Sequence, residues 1–184
     1  TVLHTMTPGM LLEIGKFWDL DFTAGINRFS NADFHDSTSY AIGLRGKIPL
    51  EKWLVNFNYQ GTETEEPQIE TGSQTKRDTH RAAASGVYDY NPKFAIELSL
   101  IQDIQLTEGF SDYWAWSTLD WLNYHATDKT TVGLGLGAGY DLVDPGTDWA
   151  FEQFQGRFVW TPGRKLNVQA SGGLQYQQFQ DKAS

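Results

Sequence analysis

The stretch Val132 to Leu142 constrains this chain more than any other. It reads Val-Gly-Leu-Gly-Leu-Gly-Ala-Gly-Tyr-Asp-Leu. Val132, Leu134, Leu136, Ala138, Tyr140 and Leu142 alternate with Gly133, Gly135, Gly137, Gly139 and Asp141. A period of two puts the two sets on opposite faces of a strand. The pattern lasts the roughly 9–11 residues a strand needs to cross a bilayer. Leu166 to Tyr176 repeats it, with Val168, Ala170 and Leu174 on one face and Asn167, Gln169 and Gln175 on the other. A soluble sheet would alternate in the same way, so the connections have to discriminate.

Along the chain, Met10 to Ile14 turns at Gly15-Lys16 into Leu20, Phe22, Ala24 and Ile26. Tyr40, Ile42, Leu44 and Ile48 alternate with Ala41, Gly43, Arg45 and Lys47, and Pro49 to Lys52 turns into Trp53, Val55, Phe57 and Tyr59. A long polar loop is expected over 61–78, followed by a weaker strand to Tyr90 whose register Ala82 to Ala84 blurs. Asn91-Pro92 is a turn signal. It leads into Phe94, Ile96, Leu98 and Leu100. The strand from Tyr113 to Tyr124 carries Trp on both alternations, which leaves its outward face open. Phe154, Phe158 and Trp160 alternate with Gln155, Arg157 and Val159 before Pro162-Gly163 turns into the last strand. This spacing predicts an all-β antiparallel meander of about ten strands, a single domain over 1–184, with no helical segment. Short turns near 15, 50, 91, 127 and 162 alternate with longer connections near 33, 70, 109 and 146. A transmembrane β-barrel, or part of its wall, requires that alternation, and a soluble meander has no reason for it.

Aromatic residues make up 14% of the chain, with seven Trp. Trp18, Trp53, Phe94, Tyr124 and Trp160 each lie beside a short turn, so a meander gathers them at one end. Tyr59, Phe110, Tyr140, Trp149, Phe151 and Tyr176 lie nearer the long-loop end. Two aromatic girdles are the expected surface of a membrane barrel. The competing reading is an aromatic-rich soluble β-sandwich, whose core aromatics need not mark strand ends.

The mean hydropathy of −0.45 excludes a helical membrane bundle but not a barrel, half of whose strand residues face a polar lumen. A net charge of −9 argues against nucleic acid as a partner. There is no cysteine, hence no disulfide framework or thiolate metal site. His4, His35, His80 and His125 have no metal-ligand spacing, and no cofactor is expected. The triplets His35-Asp36-Ser37 and Asp78-Thr79-His80 are the only hydrolase candidates, and short polar loops produce such triplets often; the chain does not read as an enzyme. The glycines of the opening stretch lack the spacing of a nucleotide loop. They suggest close packing on the inner face, against a loop or simply in a crowded lumen. Glu63, Glu65, Glu66 and Glu70 form an acidic loop that is either solvated, bridged through divalent cations to lipopolysaccharide, or folded inward as a constriction.

If Tyr40, Ile42, Leu44 and Ile48 face lipid, Arg45 and Lys47 face inward. The same period turns Asp19, Asp21, Glu97, Asp141 and Arg157 inward, because charge on the lipid side is costly. Mixed signs along one wall suggest a hydrated interior.

The segment Thr118 to Asp181 resembles a known family. Leu119-Asp120-Trp121, Thr127-Asp128-Lys129, Gly133 to Tyr140, the Asp144 to Asp148 loop, Phe151-Glu152-Gln153 and Gly172-Gly173-Leu174 with Gln178-Phe179 are similar to the porin-like outer-membrane β-barrel proteins of Gram-negative bacteria, often labelled barrel-porin-2-like. Thr7-Pro8-Gly9 with Leu11-Leu12-Glu13 resembles an early segment of the same family. The resemblance implies an exported barrel in the bacterial outer membrane, larger than this chain, because family members continue with further strands beyond the position of Gln180 and end in an aromatic residue. The implied surroundings are outer-membrane lipid, lipopolysaccharide and the remaining strands of the barrel or other envelope proteins. The implied activity is passive diffusion of small solutes, and the alternative is a structural barrel that anchors a surface or envelope assembly without transport.

Overall fold

The computed structural model describes residues 3–30, 36–67, 74–163 and 166–180. They form one antiparallel sheet: β1 (Leu3–Met6), β2 (Gly9–Ile14), β3 (Trp18–Phe29), β4 (Ser37–Pro49), β5 (Trp53–Pro67), β6 (Gln74–Asn91), β7 (Phe94–Thr107), β8 (Asp112–Thr127), β9 (Thr130–Asp144), β10 (Asp148–Gly163) and β11 (Leu166–Gln180). From β3 onward each strand pairs with the next, as consecutive hairpins. β1 and β2 both lie along β3. Pro8, between them, cannot donate to a ladder, but its carbonyl accepts the Ala24 amide at 2.9 Å. The two short strands therefore form one interrupted edge. The sheet is not closed on itself: β1 and β2 form one edge and β11 the other.

The turns follow from local chemistry. Gly15 and Gly109 sit at φ of 68° and 77°, a conformation glycine adopts without steric cost. The Asn91 side chain accepts the amides of Lys93 and Phe94 at 2.8 and 3.0 Å, which closes the β6–β7 turn. The expected long loop over 61–78 is a correction: β5 runs to Pro67 and β6 starts at Gln74, so most of that segment is a paired hairpin. The opposed Thr62 and Thr79 hydroxyls bond to each other, and Lys76 reaches both Glu63 and Asp78, which is why a polar composition did not prevent pairing. Glu63 and Glu65 lie on β5, and Glu63 pairs with Lys76 at 3.0 Å instead of folding inward. Glu70 lies outside the described residues. The β7–β8 and β9–β10 connections are shorter than expected, 108–111 and 145–147.

Residues opposed across a ladder share a face, so the register carries each face across the whole sheet. One row runs Leu12, Leu20, Leu44, Tyr59, Ala82, Gln102, Trp116, Tyr140 and Ala150. The row on the opposite face runs Leu11, Asp21, Gly43, Gln60, Arg81, Asp103, Ala115, Asp141 and Trp149. The first face is apolar and exposed; Leu98, Leu134, Leu136 and Val168 lie on it, Leu136 at 66% exposure. The second is polar and crowded, and holds Ala95, Ala115, Asn123 and Asp141 as buried residues. We call these the outer and inner faces. A face with charged groups packed inward and Leu, Ile and Phe bared outward inverts a soluble sheet, which turns its apolar face to a core.

Candidate functional site

All seven ionisable positions singled out from the sequence share the inner face: Asp19, Asp21, Arg45, Lys47, Glu97, Asp141 and Arg157. Two environments stand out on this face, one around Arg157 and one around Arg81, while Asp19 and Lys47 lie together near the β2–β3 turn.

The first centres on Arg157. Its guanidinium reaches Glu97 Oε1 at 2.6 Å and Asn123 Oδ1 at 2.7 and 3.1 Å. The Asn123 amide donates to the same Glu97 oxygen at 2.9 Å. The guanidinium carbon sits 4.3 Å from the centroid of the Trp121 ring, a cation–π contact. Asn123 is 2% exposed, and the Arg157 and Glu97 side chains are 19% and 34% exposed. These residues come from β10, β8 and β7, so Arg157 must cross β9 to reach its partners. Gly133 permits the crossing. A Cβ there would lie 2.7 Å from Asn123 Oδ1 and 2.8 Å from Arg157 Cγ. The rest of the glycine run does the same for other groups. A Cβ on Gly135 would meet the Trp121 indole at 3.0 Å, one on Gly137 would meet Gln153 at 2.7 Å, and one on Gly139 would overlap the Phe151 ring. The alternating glycines are a track over which side chains of β8 and β10 lie flat. Among the described residues, what fills the inner face here is neighbouring side chains.

The second environment is a recess of about 360 Å³ on the same face, lined by Gln60, Thr79, Arg81, Asp103, Gln105 and Tyr113 among others. Arg81 meets Asp103 through one contact of 3.3 Å, and both side chains are open, 55% and 36% exposed. The Thr62 and Thr79 hydroxyls bond to each other. Asp141, one position along the same face from Tyr113 on the neighbouring strand, is buried. Farther along the sheet Arg45 meets Asp21 in an equally loose pair, 3.4 Å and exposed. Arg81 and Asp103 were not among the sequence candidates. The alanines at 82–84 hid the register of β6, while Asp103 could have been read by continuing the alternation of Glu97 past Leu100.

The aromatics occupy the outer face where expected, with two exceptions, Trp149 and Phe151. Trp18, Trp53, Phe94, Tyr124 and Trp160 point outward near the short turns, and Tyr59, Tyr140 and Tyr176 point outward farther up. Trp18 lies over Gly46, Trp53 contacts Tyr88 at 4.8 Å between ring centroids, and Phe94 contacts Tyr124 at 5.1 Å. Trp149 and Phe151 are the corrections. They oppose Asp141 and Gly139 and face inward, and the Trp149 ring lies 5.6 Å from Phe151 and 6.4 Å from Phe179. Position near a strand end suggested a girdle, but parity along β10 decides the face. The register also settles β8, which the sequence left open: Trp114, Trp116, Leu122 and Tyr124 are outward, and Trp121 is inward.

Besides Glu63, Glu65 and Asp78 toward the β5–β6 hairpin end, two carboxylates within the wall break the expectation that charge avoids the outer face. Asp120 and Glu152 oppose Leu136 and Ala138 there. Asp120 Oδ1 accepts the Ser99 amide at 2.9 Å and the Thr118 hydroxyl at 3.0 Å, and the Ser99 hydroxyl bonds the Leu119 backbone. Side chains thus replace ladder bonds between β7 and β8 at this point, which gives Asp120 partners an apolar wall lacks. Of the hydrolase candidates, His80 bonds the Tyr59 hydroxyl at 2.9 Å on the outer face, and His35 lies outside the described residues. No group of His, Asp and Glu among the described residues is placed to hold a metal.

No protein-family model matches this sequence, and no curated protein does. Its fold, however, matches a solved structure, the in-vitro folded OmpT, an outer membrane protein of Vibrio cholerae, in its trimer form. The TM-score is 0.59 at 12% identity, over 92% of this chain and 53% of that one, so the chain spans about half of its neighbour's length. The sheet with an apolar outer face and a charged inner one has the fold of an outer-membrane β-barrel wall.

Proposed function

We propose that this chain forms the wall of a porin-like channel in the bacterial outer membrane, passing small solutes along its inner face. The observation that carries this reading is the pair of loose, solvent-exposed ion pairs on that face, Asp21–Arg45 and Arg81–Asp103. Charged groups left exposed on the side away from lipid need water beside them. The outer face meets lipid, and lipopolysaccharide meets the hairpin end that carries Glu63, Glu65 and Lys76. The open edges at β1–β2 and β11 are paired by further strands of the same barrel, because unpaired backbone groups are costly in hydrocarbon. No catalytic chemistry and no nucleic acid enters this reading.

A second reading, a structural barrel that anchors an envelope assembly, draws support from the inward aromatic group Trp149, Phe151 and Phe179. Such a group suits a lumen filled by protein. Single-channel conductance of the complete protein in planar bilayers separates the two. A channel gives steady conductance, and Arg45→Glu with Lys47→Glu moves its reversal potential toward cations. Absence of conductance from the folded protein would leave the anchoring reading.

A further inference from the structure

The inner face places two amides, a hydroxyl, an ion pair and a tyrosine around one recess of about 360 Å³, at the small end of the roughly 300–1,000 Å³ of small-molecule sites. From these groups we infer that the recess is a solute subsite for a neutral polyhydroxylated molecule of about the size of a hexose. The inference deepens the channel reading and rests on the inner face being wetted.

Three features select the ligand class. First, Arg81 and Asp103 are already paired, so the charged side chains that line the recess cancel each other. The single 3.3 Å contact leaves other guanidinium N–H donors and the second carboxylate oxygen unused. Neighbouring hydroxyls can give to the carboxylate and accept from the guanidinium without parting them. A zwitterion would have to split the pair to gain anything. Second, Gln60 stands opposite Arg81 across the β5–β6 ladder, and Gln105 stands opposite Thr79 and Tyr113. Each amide both donates and accepts, Gln105 keeping its carbonyl and one N–H after giving the other to Thr107 at 3.3 Å, which matches hydroxyls and not a carboxylate or an ammonium alone. Third, the Tyr113 ring lines the recess and contributes an apolar surface, the kind the C–H face of a sugar ring lies against. The Arg157 cluster has the same ingredients, but its guanidinium and amide are used internally.

The test uses the complete protein in planar bilayers, with glucose as the polyol probe and glycine as the zwitterion probe, and titration calorimetry of the same protein in detergent. Glucose should give a saturable partial block of the current and a matching binding isotherm. Asp103→Asn and Tyr113→Ala should each raise its half-saturating concentration about tenfold. Tyr113→Phe should leave it nearly unchanged, and so should Val168→Ala on the outer face. Folding of each variant is checked by heat-modifiable migration. Block by glycine in preference to glucose overturns the inference, as does glucose binding that is indifferent to Asp103→Asn. Conductance without any glucose block or binding removes the subsite and leaves the channel. Glucose binding that Asp103→Asn weakens, in a protein without conductance, removes the channel and leaves the subsite.

Discussion

Arg157 with Glu97 and Arg81 with Asp103 are the same chemical pair on the same face of the same sheet, yet they do opposite work. Arg157 spans three strands, makes contacts down to 2.6 Å and shares its partner with an asparagine that is 2% exposed. Arg81 meets its partner on the adjacent strand, once, at 3.3 Å, and both stay open to water. The difference is set by what lies between the partners. Gly133 removes the side chain that would hold Arg157 off, and Trp121 roofs it. Around Arg81 nothing closes over the pair. A charge pair in a barrel wall is thus a fastener where glycine and an aromatic ring enclose it, and a solute-facing group where they do not.

The largest effect should come from unfastening the first. Arg157→Ala leaves Asn123 Oδ1 without its donor and Glu97 without its countercharge, held only by the Asn123 amide. It should cost about 2–3 kcal/mol, less than the roughly 3–5 kcal/mol of a fully buried pair because both partners keep some exposure. Urea or guanidinium unfolding in lipid vesicles reads it; a loss no greater than that of Arg81→Ala would erase the distinction. Close behind stand the glycines that make the enclosure. Gly139→Val should cost about 1–3 kcal/mol by overpacking against Phe151 and the Trp116 carbonyl. Gly135→Ser, which looks harmless from the alternation alone, should lose part of that as the Trp121 ring is pushed aside, visible as a shift in tryptophan emission.

That last point shows how much of the molecule its sequence discloses. The meander, the two faces and the inward direction of Arg45, Lys47, Glu97 and Arg157 follow from period two, because parity survives any error in strand ends. Which glycine matters, and to whom, depends on register between strands. No single strand carries that information: Gly133 serves Arg157 because β8, β9 and β10 align as they do. Trp149 and Phe151 leave the girdle for the same reason, because height along the chain does not fix orientation. Arg81 stayed hidden behind an alanine run that shows no alternation.

Smaller effects sharpen the contrast. Arg81→Ala should change stability by about 0–1 kcal/mol, as an exposed pair does, while altering conductance. A third pair, Arg28–Asp36, is exposed but tight, at 2.6 Å, and the Phe29 amide also donates to Asp36 at 2.9 Å. That backbone bond, then the Arg28 side chain, holds the Asp36 carboxyl below its ordinary value. Its stabilising effect is therefore present above the ordinary aspartate value of about 3.9 and is lost as pH falls through the lower folded one. Amide exchange at Phe29, corrected for intrinsic pH dependence, should speed up relative to Leu20 only in that acid range. Asp36→Asn should flatten the dependence.

Because the chain has no cysteine, single-cysteine labelling in the complete, membrane-embedded protein reads the two faces and the two environments directly. Gln105→Cys in the recess should react fast with a charged, membrane-impermeant thiosulfonate. Gln155→Cys, beside the glycine track, should react at least about tenfold more slowly, and Leu136→Cys on the outer face should react only with an apolar maleimide. Leu136→Cys labelled by the charged reagent as fast as Gln105→Cys would contradict the lipid-facing outer wall and the wetted inner one together.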